Sequence, residues 1–206
     1  MLNLALLFSF VAIATKAPPP TPPPLSTFDV KGIAPGISFE EWQQKIGDVK
    51  FSCTDLSKST EGITKSCSFE GAPKCYDIGA KSFCHPQPKY DTFAGVQVIF
   101  HYKFHETELW QIEVYGIFPD SFDTVLAAMQ TKYGKATVTT SDIQNRMGAH
   151  FQDATAIWNG TNGVIAYKKY ISRLDLPSEL TFYSNDGWKA VEDALHKKTK
   201  AAENDM

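Results

Sequence analysis

Val96-Gln97-Val98-Ile99-Phe100-His101-Tyr102-Lys103-Phe104, followed after a short loop by Leu109-Trp110-Gln111-Ile112-Glu113-Val114-Tyr115-Gly116-Ile117, decides the fold. In the first stretch Val96, Val98, Phe100, Tyr102 and Phe104 alternate with other residues. In the second, Trp110, Ile112 and Val114 do the same. A period of two is the signature of a strand with one buried face. Matching the apolar faces across an antiparallel hairpin sets Phe104 opposite Trp110, Tyr102 opposite Ile112 and Phe100 opposite Val114. The other face then carries His101 opposite Glu113 and Lys103 opposite Gln111.

Helices flank this hairpin. Ser38 followed by Glu41 is a capping box, and Phe39, Trp42 and Ile46 recur on one helical face before Gly47. A second helix opens at Pro119-Asp120-Ser121, carries Phe122, Val125, Leu126, Met129 and Tyr133, and stops at Gly134. Three further strands are expected at about 149–158, 164–171 and 179–183. The run Trp158-Asn159-Gly160-Thr161-Asn162-Gly163 supplies a turn, and Asn159-Gly160-Thr161 is also a glycosylation sequon in a eukaryotic secretory pathway. Helical spacing returns from Trp188 through Val191 to Leu195, and residues 198–206 are expected to fray.

The ends of the chain point to export. Leu4 to Ala14 is an almost continuous apolar run, too short to span a bilayer, and Ala12-Ile13-Ala14 has the small-x-small form of a cleavage site. Residues 1–14 therefore read as a signal peptide. Residues 15–27, with Pro18-Pro19-Pro20-Thr21-Pro22-Pro23-Pro24, read as a polyproline spacer. Residues 28–197 form a single α+β domain. No transmembrane span remains after cleavage, and the expected location is exported, periplasmic or secreted.

The four cysteines, Cys53, Cys67, Cys75 and Cys84, are clustered in a segment rich in Ser, Lys, Gly and Pro. In an exported chain they read as two disulfides with three connectivities. Sequential pairing, Cys53–Cys67 and Cys75–Cys84, closes two short loops without long-range geometry. Crossed pairing closes larger loops and requires the segment to fold back on itself. Zinc would need a C-x-x-C pair that the sequence lacks.

Motifs for common chemistries are missing. Gly134-Lys135 has Met129 where a phosphate loop needs glycine, and a calcium loop around Asp186-Gly187 would begin at Phe182. A net charge of −3 and only two arginines, Arg146 and Arg173, exclude a nucleic-acid partner. No cofactor and no catalytic residue is expected. The alternative is a small enzyme or metal-binding protein that uses His101, His105 and Glu113 on the polar sheet face. Aromatics beside loops (Trp158, Tyr167 and Tyr170), with Arg146 and Arg173, are the candidate protein interface.

The chain also echoes itself. Gly32-Ile33-Ala34-Pro35 leads into Ser38-Phe39-Glu40 and a helix closed by Lys45-Ile46-Gly47. Gly116-Ile117-Phe118-Pro119 leads into Ser121-Phe122-Asp123 and a helix closed by Lys132-Tyr133-Gly134. The expected fold is thus α+β: two helix-plus-antiparallel-meander units in one domain, with a C-terminal helix. The "Gly-Ile…Ser-Phe-Glu-Glu…Gly" opening resembles the outer-membrane-assembly lipoprotein BamE/SmpA family, although no lipid-attachment Cys follows the apolar run. The paired arrangement resembles the β-lactamase inhibitory protein family. These resemblances imply non-catalytic binding of a protein or envelope component through a sheet face, and they carry over no site residue.

Overall fold

The computed structural model describes residues 27–56, 62–78, 81–145, 147–171 and 177–204. The residues read above as a signal peptide, all but Thr27 of those read as a spacer, and both Arg146 and Arg173 lie outside the described residues.

Local sequence explains each helix end. Helix α1 (Phe39–Ile46) starts where the Ser38 hydroxyl accepts the Glu41 N–H at 3.1 Å, satisfying an amide that the first turn would leave unpaired. Gly47 ends it with a φ of 59° that a side chain would disfavour. Helix α2 (Phe122–Tyr133) follows a 3-10 turn at Pro119–Ser121, and Gly134 stops it at a φ of 86°.

Eleven strands occur among the described residues: β1 (Phe51–Asp55), β2 (Lys65–Phe69), β3 (Lys74–Ile78), β4 (Lys81–His85), β5 (Asp91–Phe93), β6 (Val96–His105), β7 (Glu108–Tyr115), β8 (Thr137–Gln144), β9 (His150–Asn159), β10 (Gly163–Lys168) and β11 (Glu179–Ser184). Eight of them form an antiparallel sheet in the order β1-β2-β6-β7-β11-β10-β9-β8, with β5 added on β6. β3 and β4 form a separate hairpin. Helix α3 (Asn185–Asn204) follows the last strand.

The two helices that precede strands share one face of this sheet. Tyr102 lies opposite Ile112, Ile112 opposite Phe182, and Phe182 opposite Ile165, so these four side chains point the same way. Trp42 of α1 meets Tyr102 with ring centroids 5.3 Å apart, and Tyr133 of α2 meets Phe182 at 6.0 Å. Phe122 stacks on Tyr167, two positions along β10 from Ile165. This inner face is the core, and each large apolar side chain buried there contributes roughly 1.5–3 kcal/mol. Tyr183 points the other way, against Trp188 of α3, so α3 lies on the outer face.

The segment before α1 straps the inner layer down. Phe28 is buried against Tyr133, and its backbone N–H and C=O are both held by the Asn162 side chain, at 2.8 and 2.9 Å. The Tyr133 hydroxyl donates to the Asp29 carbonyl, and Lys31 pairs with Asp91 beside β6. The Lys31 ammonium holds the Asp91 carboxyl below the usual carboxylate range.

Three expectations change. The hairpin pairs Phe100–Val114, His101–Glu113, Tyr102–Ile112 and Lys103–Gln111 form, but Phe104 faces Leu109 and not Trp110. A bulge between Lys103 and Phe104 leaves one extra residue on β7, which takes Trp110 off the core stripe. The strand expected at 164–171 ends at Lys168. Strand β8 was not expected, because it has no apolar face: seven of its eight residues are exposed. The terminal helix runs to Asn204. The sequence Lys197-Lys198-Thr199-Lys200-Ala201-Ala202-Glu203 is rich in helix formers, and a Lys189–Asp193 pair supports the preceding turns.

Both disulfides are sequential. Cys53 pairs with Cys67 across β1 and β2, and Cys75 with Cys84 across β3 and β4. The segment rich in Ser, Lys, Gly and Pro forms two stapled hairpins. Cys67 points into the inner layer, opposite Tyr102, and is fully buried.

Candidate functional site: the outer face of the sheet

Side chains on the outer face line up in two rows across the strands. One runs Ser52–Ser68–His101–Glu113–Thr181 and the other Thr54–Ser66–Lys103–Gln111–Tyr183, each residue directly opposite the next. Hydroxyls occupy β1 and β2, charged groups occupy the middle, and Thr181 and Tyr183 on β11 reach α3. The bulge that displaces Trp110 also sets the limit of these rows, because Lys103 and Gln111 are the last pair before it.

Burial graduates in the same direction. Ser52 and Thr54 are exposed, Ser66, Ser68, His101, Lys103 and Glu113 are half-buried, and Gln111 and Thr181 are buried. A cleft of about 390 Å³ opens where the rows meet α3, lined by Lys103, Gln111, Glu113, Tyr115, Thr181 and Val191. Its floor carries one ion pair, Lys103 Nζ to Glu113 Oε2 at 3.0 Å, with about a quarter of each side chain exposed. An ion pair so placed stabilises by about 1 kcal/mol at most.

Helix α3 can lie this close because of two small residues. The Ser184 hydroxyl accepts the Gly187 N–H at 3.0 Å and so caps the first turn. A Cβ on Gly187 would sit 2.7 Å from the Trp110 carbonyl oxygen, so only glycine fits between α3 and β7.

Of His101, His105 and Glu113, the first and last face each other across β6 and β7, and His105 stands apart. Glu113 engages Lys103. His101 is an edge-on neighbour of Tyr115, and its burial pushes the imidazole pKa down, with Glu113 opposing and Lys103 adding to the shift. His105 stands four residues further along β6, roughly 13 Å away at strand rise. There its ring stacks on Trp110 at 4.1 Å and its Nδ1 meets the Gly62 carbonyl at 2.5 Å. Among the described residues no three His, Cys, Asp or Glu side chains gather as metal ligands would.

The aromatic interface is corrected in part. Trp158 is 3% exposed, and its Nε1–H donates to the Gly134 carbonyl at the end of α2. Tyr167 is fully buried under Phe122. Both point to the inner face, because Trp158 pairs with Ile165 and Tyr167 with Ala156, and they have no surface to offer a partner. Tyr170 stays half-buried, edge-on to Phe151.

Sequence reasoning missed Thr181 and Tyr115. Tyr115 is 47% exposed at the open end of the cleft, and its place at the end of an alternating strand was the available signal. Among the described residues no helix is long and apolar enough to cross a membrane. No family model, curated protein or solved structure matches the chain.

Proposed function

We propose that the protein is an exported, disulfide-stabilised binding module without catalytic machinery, which recognises a protein or envelope component through the outer face of the β1-β2-β6-β7 side of the sheet. One observation carries this reading: two ordered rows of hydroxyl, imidazole and charged side chains run from exposed to buried and end in a cleft. Such a graded polar surface, with Tyr115 exposed at its rim, suits a protein partner. Two disulfides suit an oxidising compartment, in keeping with residues 1–14 as a signal peptide and 15–27 as a spacer.

The same proposal takes the domain as two helix-plus-meander units. Strands β1, β2, β6 and β7 follow α1, strands β8 to β11 follow α2, and the last strands of the two sets pair antiparallel. An antiparallel pair has a local two-fold axis normal to the sheet, which puts α1 and α2 on the same face. Ile33 and Ile117, at matching places in the two echoed segments, are both buried. This is the arrangement that the resemblance to the β-lactamase inhibitory protein family implies.

The experiment is affinity capture from the envelope fraction of the producing cell, with the native chain beside Ser68→Arg and Tyr115→Ala. A partner retained by the native chain and lost from both variants supports the reading. A partner retained equally by all three places recognition elsewhere and refutes the outer face.

A further inference from the structure

Aromatics aside, five polar or charged residues are buried among the described residues: Gln111, Asp153, Ser178, Thr181 and Ser184. Three of them are committed within the fold. Asp153 accepts the Ala154 and Tyr170 N–H groups at 2.9 and 3.1 Å, Ser178 donates to the Lys169 carbonyl at 2.9 Å, and Ser184 accepts the Gly187 N–H at 3.0 Å. Gln111 and Thr181 are 4% and 2% exposed, and no described residue hydrogen-bonds to either side chain. Their polar atoms are not sealed away as Trp42 Nε1 is in the core, because both residues line the outer cleft. A buried amide or hydroxyl without a partner is costly, so these two take their hydrogen bonds from what enters the cleft.

The two stand close enough to act on one group. Gln111 faces Tyr183 and Thr181 faces Glu113, so Gln111 and Thr181 are diagonal neighbours on adjacent strands, roughly 7–8 Å apart. Charge narrows what that group can be. Lys103 and Glu113 neutralise each other across the floor of the cleft at 3.0 Å. A ligand carboxylate would have to displace Glu113, and a ligand ammonium would have to displace Lys103. Glu179, at the edge of the cleft, stands opposite Lys168 in the β10–β11 register. A neutral ligand leaves the ion pair in place.

Hydrogen-bonding capacity narrows it further. The Gln111 amide offers an acceptor oxygen and an NH2 donor side by side in one plane. Its complement presents a donor and an acceptor side by side in return. A carboxamide does this, and so does one extended main-chain residue, whose N–H and C=O point the same way. The Thr181 hydroxyl, able to donate or accept, meets whichever atom is left over. A sugar would also bring an apolar ring face, but both tyrosines beside the cleft already have ring neighbours, Tyr183 against Trp188 and Tyr115 against His101. The volume of about 390 Å³ lies at the small end of ligand sites and suits one residue of a chain.

We propose that the cleft is the anchor point of the partner and takes a neutral amide of a polypeptide, held by the Gln111 amide and the Thr181 hydroxyl. The amide is that of an Asn or Gln side chain or of an extended main-chain residue. This assignment rests on the outer-face reading above and adds to it the chemistry of the central contact.

The probe is N-acetylglutamine N-methylamide, which carries both kinds of amide. It is titrated into the native chain and followed by NMR at the Gln111 side-chain NH2 and the Thr181 backbone N–H. Saturable shifts with a dissociation constant of about 1–50 mM are expected for so small a ligand. Capped glutamate, capped lysine and methyl glucoside at the same concentrations should leave these signals in place. Gln111→Met and Thr181→Val keep the shape and remove the polar atoms. Each should weaken the probe about tenfold and keep or raise the melting temperature, because no hydrogen bond within the fold is lost. No shift up to about 0.1 M probe, an equal response to any of the three controls, or binding that survives both substitutions overturns the proposal. A marked fall in melting temperature in both variants also overturns it, since the two groups would then serve the fold. Failure of the outer-face reading looks different: a captured partner is retained by Ser68→Arg and Tyr115→Ala. A partner that those two variants lose and Gln111→Met keeps removes only the assignment of the cleft.

Discussion

The β1-β2-β6-β7 side of the sheet and the β11-β10-β9-β8 side solve the same packing problem by different means. On the first, strands β1 and β2 are short and rich in Ser, and what holds them is a disulfide and an aromatic cluster. Trp42 is fully buried among Phe39, Phe51, Phe69, Tyr102 and Phe104, with centroid separations from 4.9 to 6.2 Å. On the second, β9 and β10 bring Ala156, Trp158, Ile165 and Tyr167 under α2, and no covalent link is present. Side-chain clamps do the remaining work there: Asn162 on Phe28, Trp158 on Gly134 and Tyr133 on Asp29. A sheet can thus be closed covalently where its strands are too polar to bury themselves, and by polar clamps where they are not.

The largest effect is expected from Trp42→Ala. Removing the centre of the cluster should cost about 3–5 kcal/mol, seen as a lower urea midpoint for the whole domain. If only the β1-β2 corner loosened and the midpoint held, the two sides would be independent and the comparison would have to be redrawn.

Next comes removal of the Cys53–Cys67 bridge by replacing both residues with Ala. The chain-entropy treatment gives about 3 kcal/mol for a loop of this length, and the empty volume beside Tyr102 adds to it. Hydrogen exchange should show β1 and β2 losing protection first and β9 and β10 last. Equal loss everywhere would mean that the bridge stabilises the sheet as a unit and not one side of it.

Asn162→Ala tests the clamp on the other side. Two backbone hydrogen bonds to Phe28 disappear together, a loss of about 2 kcal/mol. Protection of the Phe28 amide should vanish while the β1-β2 amides stay slow.

The smallest effect is a pH dependence. Burial lowers the pKa of His101 in the folded state, so the unfolded chain binds the proton more readily. The stability it contributes is complete above its unfolded pKa of about 6.5 and is lost as pH falls below that. His101→Gln should flatten the stability curve below about pH 6.5. The Asp91–Lys31 pair behaves likewise at lower pH, because its carboxyl is held below the ordinary range: its contribution is present above about pH 4 and fades on further acidification.

Which parts of this were legible in the sequence depends on whether a residue's neighbours in the chain are also its neighbours in space. Ser38, Glu41 and Gly47 act within one helix, and the first helix follows from them. Phe100, Tyr102, Ile112 and Val114 alternate across a tight hairpin, and four of its pairs follow from that. The bulge does not, because Leu109 and Trp110 are both large and apolar and either could have faced Phe104. Trp158 and Tyr167 were misread through their position beside loops, although Ala156 and Ile165 two residues away already showed which face they shared. Strand β8 carried a propensity signal in the β-branched Thr137, Val138, Thr139, Thr140 and Ile143 but no apolar alternation, and the alternation was what the reading relied on. The outer rows needed the β7–β11 pairing before Thr181 and Tyr183 could be placed beside Glu113 and Gln111.

That pairing also has a kinetic consequence. Gln111 meets Tyr183 and Val114 meets Leu180, about 70 residues away in sequence, whereas most other neighbours in the sheet are linked by short turns. Hairpins such as β6–β7, β8–β9 and β10–β11 can form within microseconds, but joining the two sides requires closing a long loop first. The middle of the sheet, its most buried part once folded, is therefore its last part to form. Until it does, β7 and β11 each keep one open edge, in addition to the outer edges of the sheet, and the cost of closing the intervening loop delays the pairing that covers them.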